Sequence, residues 1–278
     1  MKLLDNLLRN DQEVESSNFR WIRSDKKLDL EEINLETMEK ASYGISSPTD
    51  YNALNTCICS LPGNKSFCYR GYFNYSNHNG IAFIIDEDHK IQILPSEMST
   101  VGYCATYYNN FVYMFGDSSL CRYNLIKRRW EKLVNKCTSG NCCSCTSLNG
   151  MIFVALYDYA YAFIFDLWTF SYSLCNLELE QDCIKIICKY DNVAYLIDFS
   201  GLIWESDEND LYIWNIIGPC NPLYFYTYSI KVFYKNSWYF NMDSVIMKFN
   251  LDKKTVSKTS GSISYEYGSS WNKEYPIG

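Results

Sequence analysis

The sequence predicts an all-β chain folded as a ring of four-stranded blades, a β-propeller, on three observations. The first is composition: 25 Tyr, 15 Phe and 7 Trp make the 278 residues 17% aromatic, and such side chains suit the pleated, half-buried surface of a strand. The second is a recurring turn dipeptide followed by an aromatic or β-branched run. It occurs at Asn109-Asn110 before FVYMFG, Asn149-Gly150 before MIFVAL, Asp191-Asn192 before VAYLID and Lys235-Asn236 before SWYFNM, with Gly63-Asn64 before KSFCYRGYF upstream. Counted from the second residue of each pair the intervals are 46, 40, 42 and 44. The third is a fixed order of elements around each turn: a short apolar run before it and three strand-like pieces after it. Period-two strands joined by Asn/Asp/Gly turns at intervals of 40 to 46 residues describe propeller blades.

Within a unit, an aromatic-polar pair is followed by a polar turn and then an apolar residue seven positions after the aromatic. Tyr123-Asn124 leads to Trp130, Phe165-Asp166 to Tyr172, and Phe249-Asn250 to Val256. IIDEDHKIQIL at 84–94 and LIWESDENDLYIW at 202–214 are looser versions, the second with a longer loop. The stretch NNFVYMFGDSSLCRYNLIKRRWEKL at 109–133 resembles a kelch repeat: turn, aromatic strand ending near Gly, Tyr-Asn-Leu, then a late Trp. By period the resemblance covers about residues 52–260. The other units are degenerate, and the glycine doublet typical of kelch blades is absent. The resemblance implies a propeller fold and a protein-binding role in adaptors or in cytoskeletal or ciliary scaffolds. No BTB-like or F-box-like segment precedes the blades. Neither the Gly-His nor the Trp-Asp dipeptide of WD repeats occurs.

The ends must close the ring, because unpaired sheet edges invite aggregation. FRWIRSDKKLDLEEI at 19–33 has Trp21 and Leu28 seven apart, which reads as the third and fourth strands of a unit; SISYEYGSSWNKEY at 262–275 reads as a first and second strand. Six blades, the closing one shared by both termini, is the expectation, with five blades as the competing count. Two domains of unequal size follow: a short amphipathic helix or tail over 1–16, and a single kelch-like propeller over 17–278. Leu3, Leu4, Leu7 and Leu8 stand at helical spacing on one face. NLETMEKASYGISSPTD at 34–50 reads as a helix or long loop bridging blades.

Chemistry is sparse. The formal net charge of −7, with no basic stripe, disfavours nucleic acid. The apolar run Met151 to Leu174 contains only Asp158 and Asp166 as charges, yet it follows a hairpin signal, so strands rather than a membrane span are expected. MKLLDNLLRNDQEVES carries no export signal, which points to a cytoplasmic setting and to the 13 cysteines serving as reduced, small apolar fillers. Cys137, Cys142, Cys143 and Cys145 have ligand-like spacing, but CSCTSL also reads as an inner strand with alternate small residues. His78 and His89 fall near turns and read as solvated, as do Asp86, Glu87 and Asp88. Kelch-type metalloenzymes need several His or a Glu/Asp/His set, so no catalytic residue, metal or cofactor is assigned.

A non-catalytic protein-interaction module, with one or more proteins as partners in a larger assembly, is therefore the expected function. The alternative is a carbohydrate-active enzyme or small-molecule binder at the channel mouth. It would draw on the acids Glu205, Asp207, Glu208 and Asp210 of one long loop. Candidate partner-binding residues are Asp207 and Glu208, Tyr224 and Phe225 of GPCNPLYFYT at 218–227, and the Leu3, Leu4, Leu7 and Leu8 stripe.

Overall fold

A computed structural model describes residues 14–23, 28–45, 55–71, 81–95, 102–116, 120–134, 142–156, 161–176, 184–198, 200–219, 230–242 and 245–262. They form six antiparallel sheets arranged as the blades of a propeller. Blade one holds β1 (Asn18–Arg23), β2 (Leu28–Asn34) and β3 (Lys40–Ile45). Blade two holds β4 (Asn55–Leu61), β5 (Lys65–Gly71), β6 (Ile81–Ile85) and β7 (Ile91–Ile93). Blade three holds β8 (Gly102–Tyr108), β9 (Phe111–Gly116), β10 (Leu120–Asn124) and β11 (Arg129–Val134). Blade four holds β12 (Cys142–Leu148), β13 (Met151–Leu156), β14 (Tyr161–Asp166) and β15 (Ser171–Asn176). Blade five holds β16 (Ile184–Tyr190), β17 (Val193–Asp198), β18 (Leu202–Ser206) and β19 (Trp214–Pro219). Blade six holds β20 (Lys231–Phe233), β21 (Ser237–Met242), β22 (Val245–Asn250) and β23 (Thr255–Ser262).

The turn dipeptides mark the hairpin between first and second strands. Asn109 and Asn110 have φ of 46° and 64°, Asn149 and Gly150 52° and 74°, Lys235 and Asn236 44° and 55°. Two consecutive left-handed residues make a type I′ turn, whose twist matches that of the strands it joins. The seven-residue spacing is the register of the third and fourth strands: Tyr123 lies opposite Trp130, Phe165 opposite Tyr172 and Phe249 opposite Val256. The apolar run at 151–174 folds as β13 and β14 and most of β15, and no helix among the described residues is long and apolar enough to cross a membrane.

The core lies between blades rather than within them. Phe115, Ile152 and Phe165 fill the seam between blades three and four; Phe153, Leu196 and Trp204 fill the next. Phe19 and Trp21 of blade one meet Ile58 and Phe83 of blade two and Val232 and Ile246 of blade six, which closes the ring. Second strands are buried on both faces, as β17 is along its whole length, whereas the outermost β7, β19 and β23 are largely exposed.

Blade one corrects the sequence reading by one strand. Phe19, Arg20 and Trp21 of β1 are all buried, as in a second strand, and β2 takes the third position. The fourth is β3, within the segment expected to be a helix or loop. Ile33 lies opposite Lys40, the same seven-residue register, so Ile33-Asn34-Leu35 is this blade's copy of Tyr123-Asn124-Leu125. Val14 to Ser16 lie beside blade six, with Glu15 in a parallel bridge to Phe233 and the Ser16 N–H donating to the Phe233 carbonyl at 2.9 Å. The helix expected over 1–16 and the strands expected over 262–275 otherwise fall outside the described residues.

The seam with blade two is polar at its centre. Arg20, 1% exposed, donates from Nε to Glu32 Oε2 at 2.5 Å. Its Nη1 reaches the Asn64 carbonyl at 3.0 Å and Ser66 Oγ at 3.3 Å. His89, expected to be solvated, sits 3.3 Å from Glu32 Oε2 and stacks on Tyr43 at 3.8 Å between centroids.

Eight described cysteines are buried and unbridged. Burial pushes the Cys68 thiol up to about 12, and Cys57 is also raised well above its usual range, first by burial and then by the nearby Cys145 and Cys68.

Arg20→Ala strands the Glu32 carboxylate in the seam and should cost about 3–5 kcal/mol in urea unfolding. Lys90→Ala, which breaks an exposed pair with Asp88, should leave the midpoint unchanged. The buried thiols stay neutral in the fold while unfolded thiols ionise above about 8.5. Their contribution to stability is therefore complete below that pH and is lost as pH climbs toward 12. Denaturation series from pH 7 to 11 should show a plateau followed by that decline.

Candidate functional site

Turns between first and second strands and between third and fourth strands emerge on the same side of an up-and-down blade, here termed the upper face. A repeated lock joins them. The N–H of Leu35, Leu125, Leu167 and Leu251 donates to the carbonyl of Ser17, Asn110, Gly150 and Asn236, at 2.7, 3.0, 2.9 and 3.3 Å. The residue before each leucine folds its own turn: Asn34, Asn124 and Asp166 each accept two N–H bonds through Oδ1, and Asn250 accepts from Lys253. Four residues after that Asn or Asp, the chain turns left-handed at Met38, Arg128, Phe170 and Lys254, with φ of 59°, 51°, 53° and 52°.

The tips of these outer turns differ in chemistry around the ring. In blades three, four and five they present Ile126 (74% exposed), Trp168 (61%), Phe170 (45%), Tyr212 (48%) and Ile213 (52%). Two contacts cross between these blades: the Arg122 guanidinium of blade three lies 5.8 Å from the Phe170 ring of blade four, and Tyr212 OH of blade five lies 2.8 Å from Ser173 Oγ of β15. Trp168 lies over Gly150, where a Cβ would overlap its indole nitrogen. Large side chains exposed next to one another on adjacent blades differ from the scattered Ile93, Leu174 and Ile216 of the outer strands. Blades one, two and six instead place Glu36, Asp86, Glu87, Asp88 and Asp252 at this level.

Charge flanks the apolar arc. Lys127 and Arg128 are exposed in the blade three turn, and Arg129 faces Glu131 at 3.1 Å. Hydrogen bonds from Arg122 hold the Glu131 carboxyl below the usual range. The blade five turn carries Asp207, Glu208 and Asp210. Asp207 Oδ1 accepts from the N–H of Asn209 and Asp210, and Asp210 Oδ1 from that of Tyr212. Glu205 is not part of this acidic loop: it accepts from Tyr195 OH at 2.7 Å and pairs with Lys254. Burial, and after it the bond to Glu205, raises the Tyr195 phenol.

Among the described residues, one cavity lined by β4, β8, Lys231 and Trp238 is about 30 Å³, space for about two waters. Lys231, with Trp238 beside it, crosses toward the Cys145 and Ile187 carbonyls. No three His, Cys, Asp or Glu among the described residues stand together as metal ligands. Cys145 is buried in the seam of blades three and four, and Cys137 lies outside the described residues.

Of the residues singled out from the sequence, Asp207 and Glu208 fall beside the apolar arc. Tyr224 and Phe225 lie outside the described residues. Their loop leaves β19 at Pro219, the opposite end of that strand from Trp214, which follows the Asp207–Ile213 turn. β19 thus separates the attachment points of the two loops. Leu3, Leu4, Leu7 and Leu8 also lie outside. Trp168, Phe170 and Ile126 escaped notice because apolar residues inside an apolar repeat read as strand, although each follows the turn-forming Asp166 or Asn124.

No family model matches the chain, and no curated protein matches its sequence. Among solved structures 1038 chains match, so the scaffold is common and specifies no partner by itself. One is a chain of a nidogen–laminin complex, with a TM-score of 0.60, 5% identity, and coverage of 87% of this chain and 91% of that one. Another comes from the structure of YCF48 bound to a D1 peptide, with a TM-score of 0.55, 11% identity, and coverage of 90% and 84%. At these identities the likeness establishes the propeller fold.

Gly150→Ala forces a Cβ into a left-handed turn and against Trp168. It should cost about 1–2 kcal/mol, and acrylamide quenching should show an indole more accessible than in the parent protein.

Proposed function

We propose that the protein is a non-catalytic protein-interaction module whose partner seats on the upper face across blades three, four and five. The observation that carries this is the set Ile126, Trp168, Phe170, Tyr212 and Ile213, exposed in the turns of three adjacent blades on a face otherwise built from charged turns. Aromatic residues bordered by Arg are what binding hot spots use. A rigid ring presents them with little ordering cost. The two structural neighbours support the reading in kind, one coming from a protein complex and the other from a peptide-bound structure. A scaffold role in the cytoplasm, of the cytoskeletal or ciliary kind that kelch-like propellers serve, is the setting proposed. The loop bearing Tyr224 and Phe225 and the leucines at 3, 4, 7 and 8 are secondary contact candidates.

The double variant Trp168→Ala/Ile213→Ser removes two exposed side chains. Affinity capture from native extract, quantified by mass spectrometry, should lose its stoichiometric partner while the thermal midpoint stays within a few degrees of the parent. Undiminished capture would place the interaction elsewhere.

A further inference from the structure

The order of chemistry along the upper face is self-complementary under a two-fold rotation. It runs from cationic at blade three (Lys127, Arg128) through aromatic at blade four (Trp168, Phe170) to anionic at blade five (Asp207, Glu208). No carboxylate among the described residues pairs with Lys127 or Arg128, and no cation pairs with Asp207 or Glu208. A two-fold axis lying in the plane of the face, through blades four and one, sets two upper faces against each other. It maps blade four onto blade four, blade three onto blade five, and blade two onto blade six. Each copy's Lys127 and Arg128 then meet the other's Asp207 and Glu208, with the aromatic pair on the axis. The same operation places the acidic turn of blade two, Asp86 to Asp88, opposite the mixed turn of blade six, where Lys253 stands beside Asp252 and Lys254 is already paired with Glu205, so the charges that fix the register are those of blades three and five. An axis through blades three and six would instead set Trp168 against the acids of blade two.

Resting on the reading that the upper face is the docking face, we infer that its occupant is a second copy of this chain, held face to face as a two-fold dimer. Such an interface is isologous, each patch being its own partner. Its charge pairs fix the register while the central aromatics supply contact area.

Two turn-preserving variants test this by analytical ultracentrifugation of the full chain. Lys127→Glu/Arg128→Asn makes the blade three turn anionic and keeps at position 128 a residue tolerant of left-handed φ. Asp207→Asn/Glu208→Lys cancels the net negative charge of the blade five turn, in which Asp210 remains, and keeps the Oδ1 that folds it. The parent should sediment as a dimer that weakens as salt rises toward 0.5 M. Each variant alone should weaken self-association by about tenfold or more. An equimolar mixture of the two should restore a dimer, which also shows that both fold. A dimer indifferent to both swaps, or a mixture no tighter than its components, overturns the inference. So does a monomeric parent. If the parent is monomeric but Trp168→Ala/Ile213→Ser still loses its captured partner, the docking face stands and only the identity of its occupant falls; if that variant also captures normally, both readings fall.

Discussion

The upper face depends on a single backbone hydrogen bond repeated from blade to blade, in which the leucine of the outer turn donates to the carbonyl of the inner turn. A four-stranded blade is a pair of hairpins sharing an edge, and the outer hairpin has solvent on its far side. Without a tie between the two turns the outer one could splay, since hairpins alone are marginal. The Asn or Asp before the leucine folds the turn through its own side chain, so the lock needs only a short polar residue and a buried-side apolar one. The two blades that lack the leucine are tied sideways instead. In blade two, His89 stacks on Tyr43 and meets Glu32 of blade one. In blade five, Tyr212 bonds Ser173 and its carbonyl accepts from Cys175 Sγ at 3.7 Å in blade four.

That lock fixes where each turn points and leaves its tip free to vary. Two residues after the turn-forming Asn or Asp stand Glu36, Ile126, Trp168 and Asp252, all exposed and equivalent in position. The side chains there take different partners: Trp168 covers Gly150, Asp252 accepts from Asn236 Nδ2 and Glu36 pairs with Lys235. The backbone lock accommodates each of them, so the difference shapes the surface. Its grouping on adjacent blades, rather than its presence on any one, gives the face a binding side and a solvated side.

The fold was legible because the turn pairs and the seven-residue spacing are short-range consequences of hairpin geometry. A type I′ turn demands Asn, Asp or Gly, and a register is a fixed number of residues. The misplacement at blade one arose from the same rule applied to the wrong pair: Trp21 and Leu28 are seven apart, but Trp21 lies opposite Glu31. Ile33-Asn34-Leu35 carried the true signal with Ile in place of the expected aromatic. Contacts between blades left no such trace. His89 and Glu32 are far apart in the chain and belong to different sheets, so nothing local to either residue announces the pairing. Asp207 and Glu208 were found through charge density, whereas exposed Trp168 and Phe170 were masked by the apolar segment around them.

The polar centre of the seam between blades one and two follows from what the other seams are made of. Aromatic and branched side chains fill every interface in the ring, and such surfaces are interchangeable enough that one blade edge could seat against several others. Blade one meets blade six through an apolar cluster and through Glu15 and Ser16 at Phe233, and meets blade two across the polar seam. Arg20 is held by a carboxylate on its own sheet and by a carbonyl and a hydroxyl of blade two, at positions an apolar edge cannot offer. An alternative docking would leave that guanidinium with Glu32 alone, its Nη1 without the blade two carbonyl and hydroxyl, at a cost of about 1–3 kcal/mol. One of its nitrogens, Nη2, already lacks a hydrogen bond, so the arrangement is poorer than an apolar seam in stability. What it adds is discrimination: blade one seats on blade two in the register that satisfies the charge.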